Sequence, residues 1–279
     1  MLQPLEVSLM AVTSEDIRQG IKELGLSGQS LCVHASLRSL GRVDGGPNAV
    51  IDAVLAEDCT MLVPTFSHGY DVPPPTGWRL ERNGVDAGHP WLTAGVGRTY
   101  TPDSIEIDIE DMGAIPAKML ERPDRIRGNH PTCSFAAVGP QARELIGVQE
   151  PLDMLAPLRA LVEAGGSVAL MGVGFNRMTL LHLAEKQAGR NLFRRWANGP
   201  DGQPMEIEVS GCSVGFEKFV PVLAPLVKRT WVGQSRWMAL PAAQTLSLAV
   251  DAIRKDPKIT TCGRSDCLRC RDALLGGPG

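Results

Sequence analysis

With 279 residues, 43% of them hydrophobic, the chain is long enough for one large domain or two small ones. A formal net charge of −3 gives no support for nucleic-acid binding, and no segment approaches the roughly 20 apolar residues of a membrane helix. The first six residues lack the basic start and apolar stretch of a signal peptide. We therefore expect a cytoplasmic protein whose seven cysteines are thiols or metal ligands, because the cytosol disfavours disulfides.

The chain begins with helical and strand-like segments in alternation. A helix is predicted over 13–25, since Thr13 or Ser14 is a good N-cap and Gly25 is a good C-terminal stop. The next predicted segments are a strand at 31–34, a polar turn at 35–41, a helix at 47–55 and a strand at 61–66.

A long irregular insertion is predicted at about 67–101. It contains three consecutive prolines at 73–75 and several glycines, and it shows no helical or strand periodicity. A segment of this length without regular structure is usually functional in a compact domain. Acidic residues lie in it or just after it: Asp71, Glu81, Asp86, Glu106, Asp108, Glu110 and Asp111.

Alternation of strands and helices continues after the insertion. The predicted strands are 133–139, 167–172 and 205–209, and the predicted helices are about 113–121, 140–146, 157–164, 216–228 and 242–255. This order predicts the α/β class, as a layered α/β/α sandwich around a mixed central sheet. Without a repeat or a clear linker, we predict one domain over 1–279, with a cysteine-containing C-terminal segment at about 257–279.

The most informative segment follows the predicted strand at 167–172. Thr179, His182 and Glu185 are spaced at i, i+3 and i+6 in a predicted helix and therefore lie along one face. An imidazole held by a carboxylate keeps one tautomer and gains basicity, which suits a general base. Asp153 is an alternative orienting acid, and a solvent-facing histidine with a surface partner would explain the same spacing.

A second polar segment follows the first predicted strand. Ser36, Arg38 and Ser39 offer hydroxyls and a guanidinium at the end of that strand, where loops often bind phosphates. The segment is neither a P-loop nor a dinucleotide fingerprint, and an ordinary polar turn is equally compatible with it. His34 at the strand end is more often a core residue than a catalyst. A His-Pro turn at 129–134 precedes the predicted strand at 133–139. It would either place side chains in a cleft at the edge of the sheet or serve only as a structural turn.

Three cysteines cluster near the C-terminus. Cys262, Cys267 and Cys270 form a C-x4-C-x2-C pattern, which contains a common half of a structural zinc site. Cys212 or a histidine would supply the fourth ligand. Reduced thiols packed in a C-terminal knot are the alternative.

Three sequence blocks occur in the order in which one enzyme family has them. Residues 34–41 resemble its H-x-S-L-x-x-L-G cofactor loop, residues 112–135 its M-G…R-S-x-H-P-x-x-S segment, and residues 179–185 its T-x-L-H-x-A-E signature. On these residues, over roughly 30–220, the chain resembles the aminoglycoside N(3)-acetyltransferases, an antibiotic N-acetyltransferase fold distinct from the GNAT acetyltransferases.

The resemblance implies transfer of an acetyl group from acetyl-CoA, as co-substrate, to the 3-amino group of an aminoglycoside, which confers antibiotic resistance. It implies direct attack, with His182 as general base, Glu185 orienting its ring and Thr179 stabilising the oxyanion. A polycationic substrate makes the acids near the insertion candidates for binding it. The implied cofactor-binding residues are His34, Ser36, Leu37, Arg38, Ser39, Leu40, Gly41, Val43, His130 and Ser134.

Three other functions stay open on the sequence. One is an acyl-CoA-dependent N-acyltransferase that acts on a different, biosynthetic amine. Another is a zinc-stabilised binding or scaffold protein in which His182 is structural. A metal-dependent hydrolase would use His34, His130 and His182, but these are far apart in sequence and no H-E-x-x-H motif exists. The sequence is compatible with a monomer or a homodimer.

Overall fold

The computed structural model describes residues 11–86 and 88–279. The expectation drawn from the first six residues therefore lies outside the described residues. The strands are β1 (Ser30–Ala35), β2 (Thr60–Pro64), β3 (Asp71–Val72), β4 (Ile126–Arg127), β5 (Phe135–Val138), β6 (Ser167–Met171), β7 (Phe193–Asn198), β8 (Pro204–Val209), β9 (Lys228–Val232) and β10 (Ser235–Pro241). The helices are α1 (Ser14–Leu24), α2 (Gly46–Leu55), α3 (Ile109–Met112), α4 (Ala114–Met119), α5 (Ala142–Ile146), α6 (Ala156–Glu163), α7 (Leu180–Gln187), α8 (Val220–Leu223), α9 (Ala242–Lys255) and α10 (Leu268–Leu274).

A mixed seven-stranded sheet forms the centre of the molecule, in the order β4-β5-β2-β1-β6-β10-β9. The three central strands β2, β1 and β6 are parallel, whereas the strands on either side of them pair antiparallel. Because parallel neighbours require a crossover, the chain passes through α2 between β1 and β2. The predicted mixed central sheet is confirmed.

Successive side chains of the central strands point to opposite faces of the sheet. Cys32, Leu62 and Leu170 pack in a core with α5, α6, α7 and α9. Val33 and Met61 face the other way, into a core with α1, α2 and α4. Strands buried on both faces give continuous apolar runs, as the sequence of β1 and β6 shows. The α/β/α layering predicted from the alternation of elements is therefore confirmed.

Local sequence determines both ends of α1. The Thr13 hydroxyl accepts from the backbone N–H of Asp16, whose carboxylate accepts from the backbone N–H of Thr13, and the two bonds form a capping box. At the other end Gly25 adopts a left-handed conformation with φ of 70°. These are the cap positions that the sequence predicts.

The helix predicted over 216–228 is wrong for most of its length. The chain instead forms a 3-10 helix at Val214–Phe219, the single turn of α8, another 3-10 turn at Ala224–Leu226, and then strand β9. Pro221 and Pro225 each lack a backbone N–H and interrupt a continuous helix. Five strands were not predicted from the sequence, namely β3, β4, β7, β9 and β10.

A second, three-stranded antiparallel sheet holds the start of the predicted insertion. Strand β3 pairs with β7, and β7 pairs with β8. Beyond β3, residues 73–86 and 88–108 form turns and irregular segments without a helix or strand. Among the described helices, no helix combines the length and apolar character needed to cross a bilayer.

Candidate active site

A cavity of about 1040 Å³ opens at the carboxyl ends of the parallel strands. The segments that follow β1, β2 and β6 all contribute to its wall, including Ser36, Phe66 and Val173. This arrangement follows from the topology, because parallel strands end at the same edge of a sheet and ligands bind there. Three segments far apart in sequence therefore meet in one site.

Gly172 allows the segments after β6 and β1 to approach each other. It lies in the cavity wall directly after β6, with φ of 73°, a conformation that favours glycine. A Cβ atom at this position would lie 1.8 Å from the Ser39 Oγ and 2.5 Å from the Ser235 Oγ. Any side chain here would push apart the two loops that form the cavity.

His182 lies in the first turns of α7, and its side chain is only 5% exposed. Its Nδ1 is 2.8 Å from the Oε2 of Glu185, and the residue lines the cavity. With Nδ1 engaged by the carboxylate, Nε2 is the ring nitrogen available to a ligand. The burial does not fit a solvent-facing histidine, and Asp153 is not the orienting acid because it pairs with Arg159 and Lys186. The arrangement is suited to accepting a proton at Nε2.

The Glu185 carboxylate has a second buried partner, Arg190. The Arg190 Nη1 donates to the Glu185 Oε1 at 2.6 Å and to the Thr260 Oγ1 at 2.6 Å. Glu185 therefore lies between a cation and an imidazole, and these two contacts hold its orientation. The spacing of His182 and Glu185 gives no signal for Arg190.

Thr179 and His34 contact each other across the cavity wall. The backbone N–H of Thr179 donates to the His34 Nε2 at 3.4 Å, and both residues line the cavity. Burial, together with the positive charge of Arg177, lowers the pKa of His34 to about 3. His34 is therefore neutral near pH 7 and cannot bind a phosphate by charge. Since Nε2 accepts a hydrogen bond, the ring proton belongs on Nδ1.

The predicted cofactor loop divides into two groups of residues. His34, Ser36, Leu37, Arg38 and Gly41 line the cavity. Three others do not: the Ser39 Oγ bonds to the Ser235 Oγ, Leu40 is in the core under the sheet, and Val43 packs against that core. Ser39, Leu40 and Val43 thus have packing contacts, and their contact with a cofactor stays a prediction.

His130 and Ser134 also lie outside the cavity wall. The His130 Nε2 donates to the backbone carbonyl of Glu208 at 2.8 Å, and its Nδ1 accepts from the backbone N–H of Cys133 at 2.9 Å. The Ser134 Oγ accepts from the Arg127 Nε at 3.0 Å. Both side chains are fully buried, and these bonds hold the backbone before β5. In the described part of the chain, His34, His130 and His182 do not form the metal site of a hydrolase.

Acidification should destabilise the protein through its buried neutral histidines. Burial lowers the pKa of His130 from 6.5 to about 4, so the unfolded state takes up the proton first as the pH falls. We expect the thermal midpoint to fall between pH 6.5 and about 4, measured by circular dichroism at a series of pH values. In His130→Gln, which lacks this ionisable group, the fall should be smaller than in the wild type. An equal fall would contradict the claim that proton uptake by His130 causes the loss of stability.

An acidic wall faces the cofactor loop. Asp108, Glu110 and Asp111, three of the seven acids singled out in the sequence, line the cavity, whereas Glu81 and Asp86 do not. Two others contact residues nearby: Asp71 binds His68, and Glu106 accepts from the Tyr70 hydroxyl at 2.6 Å. The acids after the insertion thus give this side of the cavity a negative charge.

His68 is a cavity residue that the sequence analysis missed. Its Nδ1 is 2.8 Å from the Asp71 Oδ2, and its backbone N–H donates to the Asp108 Oδ2 at 3.0 Å. The hydrogen bond to Asp71 is the main cause that raises the pKa of His68. Its position after β2, beside the end of β1, was the sequence signal that could have identified His68 as a site residue. Arg177 and Arg269 also line the cavity, and the sequence carried no comparable signal for Arg269.

Comparison with known proteins identifies the family. A family model described as aminoglycoside 3-N-acetyltransferase matches residues 32–254. The chain belongs to this family. It is 33% identical over 190 residues to aminoglycoside N(3)-acetyltransferase VIII of Streptomyces fradiae, a match that covers 63% of this chain and 62% of the relative. The match to this aminoglycoside N(3)-acetyltransferase thus spans less than two thirds of its length.

Solved structures of the family share the fold. Aminoglycoside acetyltransferase AAC(3)-IVa, as the apoenzyme, superposes with a TM-score of 0.77 at 24% identity, over 97% of this chain and 100% of that chain. A binary complex of AAC-IIIb with CoASH superposes with a TM-score of 0.71 at 22% identity, over 88% of this chain and 97% of that chain. At these identities the similarity shows that the chains have the same fold.

Proposed function

We propose that this chain transfers the acetyl group of acetyl-CoA to the 3-amino group of aminoglycosides and thereby confers resistance to them. One observation carries the proposal: a buried His182–Glu185 pair lies against a cavity with arginines on its wall as well as acids. The family match and the Streptomyces fradiae relative support the reaction class. The CoASH complex of AAC-IIIb supports the co-substrate.

His182 is the general base in the proposed reaction. Its Nε2 takes a proton from the substrate ammonium, while Nδ1–H donates to Glu185 and Arg190 stabilises that carboxylate. The neutral amine attacks the thioester carbonyl carbon, the attacking nitrogen loses a second proton to solvent, and the tetrahedral intermediate breaks its C–S bond. The proton held on His182 then passes to the leaving thiolate. This direct transfer requires no covalent enzyme intermediate.

Thr179 has the proposed role of stabilising the oxyanion through its hydroxyl. Its backbone N–H already donates to His34, so the hydroxyl is the group free for this purpose. The residue lies three positions before His182 and lines the same cavity. Loss of one donor to an oxyanion typically costs about 3 kcal/mol of transition-state stabilisation.

Acetyl-CoA binding belongs to the loop after β1 in this proposal. Arg38 is exposed in the cavity wall and supplies charge for the phosphates, and Ser36, Leu37 and Gly41 lie beside it. His34, which burial keeps neutral, supplies a polar surface for the pantetheine. The other predicted cofactor residues support this loop and the backbone before β5 indirectly, since they do not line the cavity.

The aminoglycoside occupies the acidic side of the cavity in this proposal. Asp108, Glu110 and Asp111 attract the several ammonium groups of such a substrate, and the field between low-dielectric walls raises its local concentration. His68 lies among these carboxylates, so its protonation would weaken substrate binding. An amine of different shape but similar charge is the alternative substrate, as in a biosynthetic N-acyltransferase.

Release of free thiol from acetyl-CoA tests the proposed function. With a panel of aminoglycosides, we expect substrate-dependent thiol release, and NMR of the product should place the acetyl group on the 3-amino nitrogen. Expression in a susceptible host should raise the inhibitory concentration of the same compounds. Thiol release only with other amines would indicate the biosynthetic alternative, and none with any amine would favour a binding protein.

We further propose that residues 1–279 act as a single domain in the cytoplasm, where acetyl-CoA is available. The described structure leaves all seven cysteines unpaired, which is compatible with a reducing compartment. None of the cysteines lines the cavity. Light scattering after gel filtration distinguishes a monomer from a homodimer, the two states that the sequence leaves open.

A further inference from the structure

Four cysteines from three separate segments converge beside the active-site cavity. The Sγ atoms of Cys212, Cys262, Cys267 and Cys270 all lie within 4.8 Å of one another. The Sγ atoms of Cys262 and Cys270 are 3.5 Å apart, which is far too long for a disulfide bond of about 2.05 Å. Four zinc–sulfur bonds of about 2.3 Å in a tetrahedron place the sulfur atoms about 3.8 Å apart. The cluster therefore has the size of a single metal site.

The three segments are held close together by the fold itself. Cys212 follows β8, Cys262 follows the 3-10 turn at Pro257–Thr260, and the other two cysteines begin α10. At Gly215 a Cβ atom would lie 2.3 Å from the carbonyl oxygen of Thr261, so the first two segments are in direct contact. The backbone N–H of Cys262 also donates to the Cys270 Sγ at 3.3 Å, which orients that sulfur. The site is thus assembled from elements whose positions are already fixed.

Helix α10 has little apolar contact to hold it in place. It is seven residues long, and its buried residues are Cys270 and Asp272. The side chains at its C-terminal end remain exposed, with Leu274 at 38% and Leu275 at 57%. A helix of this length is marginal by itself, and here burial of apolar side chains contributes little. A bond between its cysteines and the rest of the fold would stabilise its position.

The same segments form part of the cavity wall. Gly211 and Ser213, which flank Cys212, line the cavity. Arg269, which lies between Cys267 and Cys270, also lines it. The Asp272 carboxylate of α10 accepts from the backbone N–H of Gly84 at 2.9 Å, so α10 also positions the insertion. Fixing the four cysteines therefore fixes one wall of the site.

We propose that Cys212, Cys262, Cys267 and Cys270 bind one structural zinc ion as thiolates and that this ion holds the Arg269 segment against the cavity. Four thiolates around one small site are typical ligands of tetrahedral zinc. An iron–sulfur cluster does not fit as well, because its four thiolates are divided among two or more iron atoms and the sulfur atoms must spread farther apart. The ion completes the three-cysteine site expected from the sequence, with Cys212 as the fourth ligand. Its effect on acetyl transfer rests on the proposed function, whereas its binding does not.

Metal content of the purified protein tests the site directly. We expect about one zinc per chain by elemental mass spectrometry, and close to none in Cys267→Ser or Cys212→Ser. The matched control is Cys59→Ala, which removes a buried thiol remote from the cluster and should keep the zinc. Replacement by cobalt(II) should give thiolate charge-transfer bands of a tetrahedral site. Reduced wild-type protein that binds neither zinc nor cobalt would overturn the proposal, and so would disulfides among these cysteines in protein purified without reductant.

A chelator experiment on the wild type keeps the proposal testable if the serine variants do not fold. Removal of zinc with a strong chelator should lower the thermal midpoint. It should also lower the rate of thiol release by about tenfold or more. Added zinc should restore both. Bound zinc whose removal changes neither quantity would overturn the role assigned to the ion. If the zinc-loaded protein binds one ion but acetylates no amine, the proposed function fails and the metal site stands.

Discussion

Replacing His182 with alanine should lower the kcat of acetyl transfer by about 10²–10⁴-fold, the usual contribution of a general base. The side chain is buried against Glu185 and Phe216 and lines the cavity, so its loss removes the proton acceptor without opening the cofactor loop. The KM for acetyl-CoA should therefore stay close to that of the wild type. Steady-state thiol release measures both constants, and circular dichroism verifies that the variant is folded.

The matched control for this variant is His89→Ala. His89 packs edge-on against Trp91 in the insertion and does not line the cavity, so its replacement should leave kcat within about twofold of the wild type. A kcat near the wild-type value in His182→Ala would show that another group accepts the proton. Equal losses in the two variants would point to a general effect on folding.

Replacing Arg190 with methionine should lower the free energy of unfolding by roughly 3–5 kcal/mol. Arg190 is buried and donates hydrogen bonds to Glu185 and Thr260. Methionine fills similar volume but leaves the Glu185 carboxylate buried without its cation. Such a charge is costly to keep out of water. The folded state therefore loses more free energy than one hydrogen bond contributes. Urea unfolding followed by fluorescence measures the change.

Arg229→Met provides the comparison, because Arg229 is exposed on the edge strand β9. Its replacement should change the free energy of unfolding by less than about 0.5 kcal/mol. If Arg190→Met were no less stable than Arg229→Met, the buried pair would not contribute to stability as proposed. Because Arg190 acts on His182 only through Glu185, we also expect a lower kcat in the folded fraction of Arg190→Met.

Several features of the site and of the fold follow from short-range sequence patterns. The spacing of His182 and Glu185 predicts their contact because residues three apart lie one above the other on a helix. The caps of α1 at Thr13 and Gly25 are equally local. Periodicity failed over 216–228, where an apolar segment suggested a helix although two prolines interrupt it. The residues of β9 and β10 become strands only because neighbouring strands pair with them, an interaction that periodicity does not detect.

The cofactor motif shows the limit of a resemblance. The polar turn was correctly expected to follow a strand, which ends at Ala35, but the pattern of residues 34–41 did not reveal that the Ser39 hydroxyl bonds to Ser235 and that Leu40 lies in the core. His130 and Ser134 fall within a recognisable segment, yet their side chains bond to the backbone and to Arg127 in the interior. A sequence motif preserves the order of residues without distinguishing a residue that contacts a ligand from one that supports the loop.

The sequence by itself determined the α/β class, the His182–Glu185 pair and three of the four clustered cysteines, because each depends on residues close together along the chain. The sequence left the fourth ligand open between Cys212 and a histidine, and the tertiary structure placed Cys212 in the cluster. Only the tertiary structure placed Arg190 against Glu185 and His68 beside Asp108. Cys212 and His68 meet their partners only after about 40 or more residues of intervening chain have folded. The i, i+5 spacing of Glu185 and Arg190 is not a standard helical pairing, so the sequence did not predict their contact. The packing of the sheet, and not local spacing, decides which distant side chains meet.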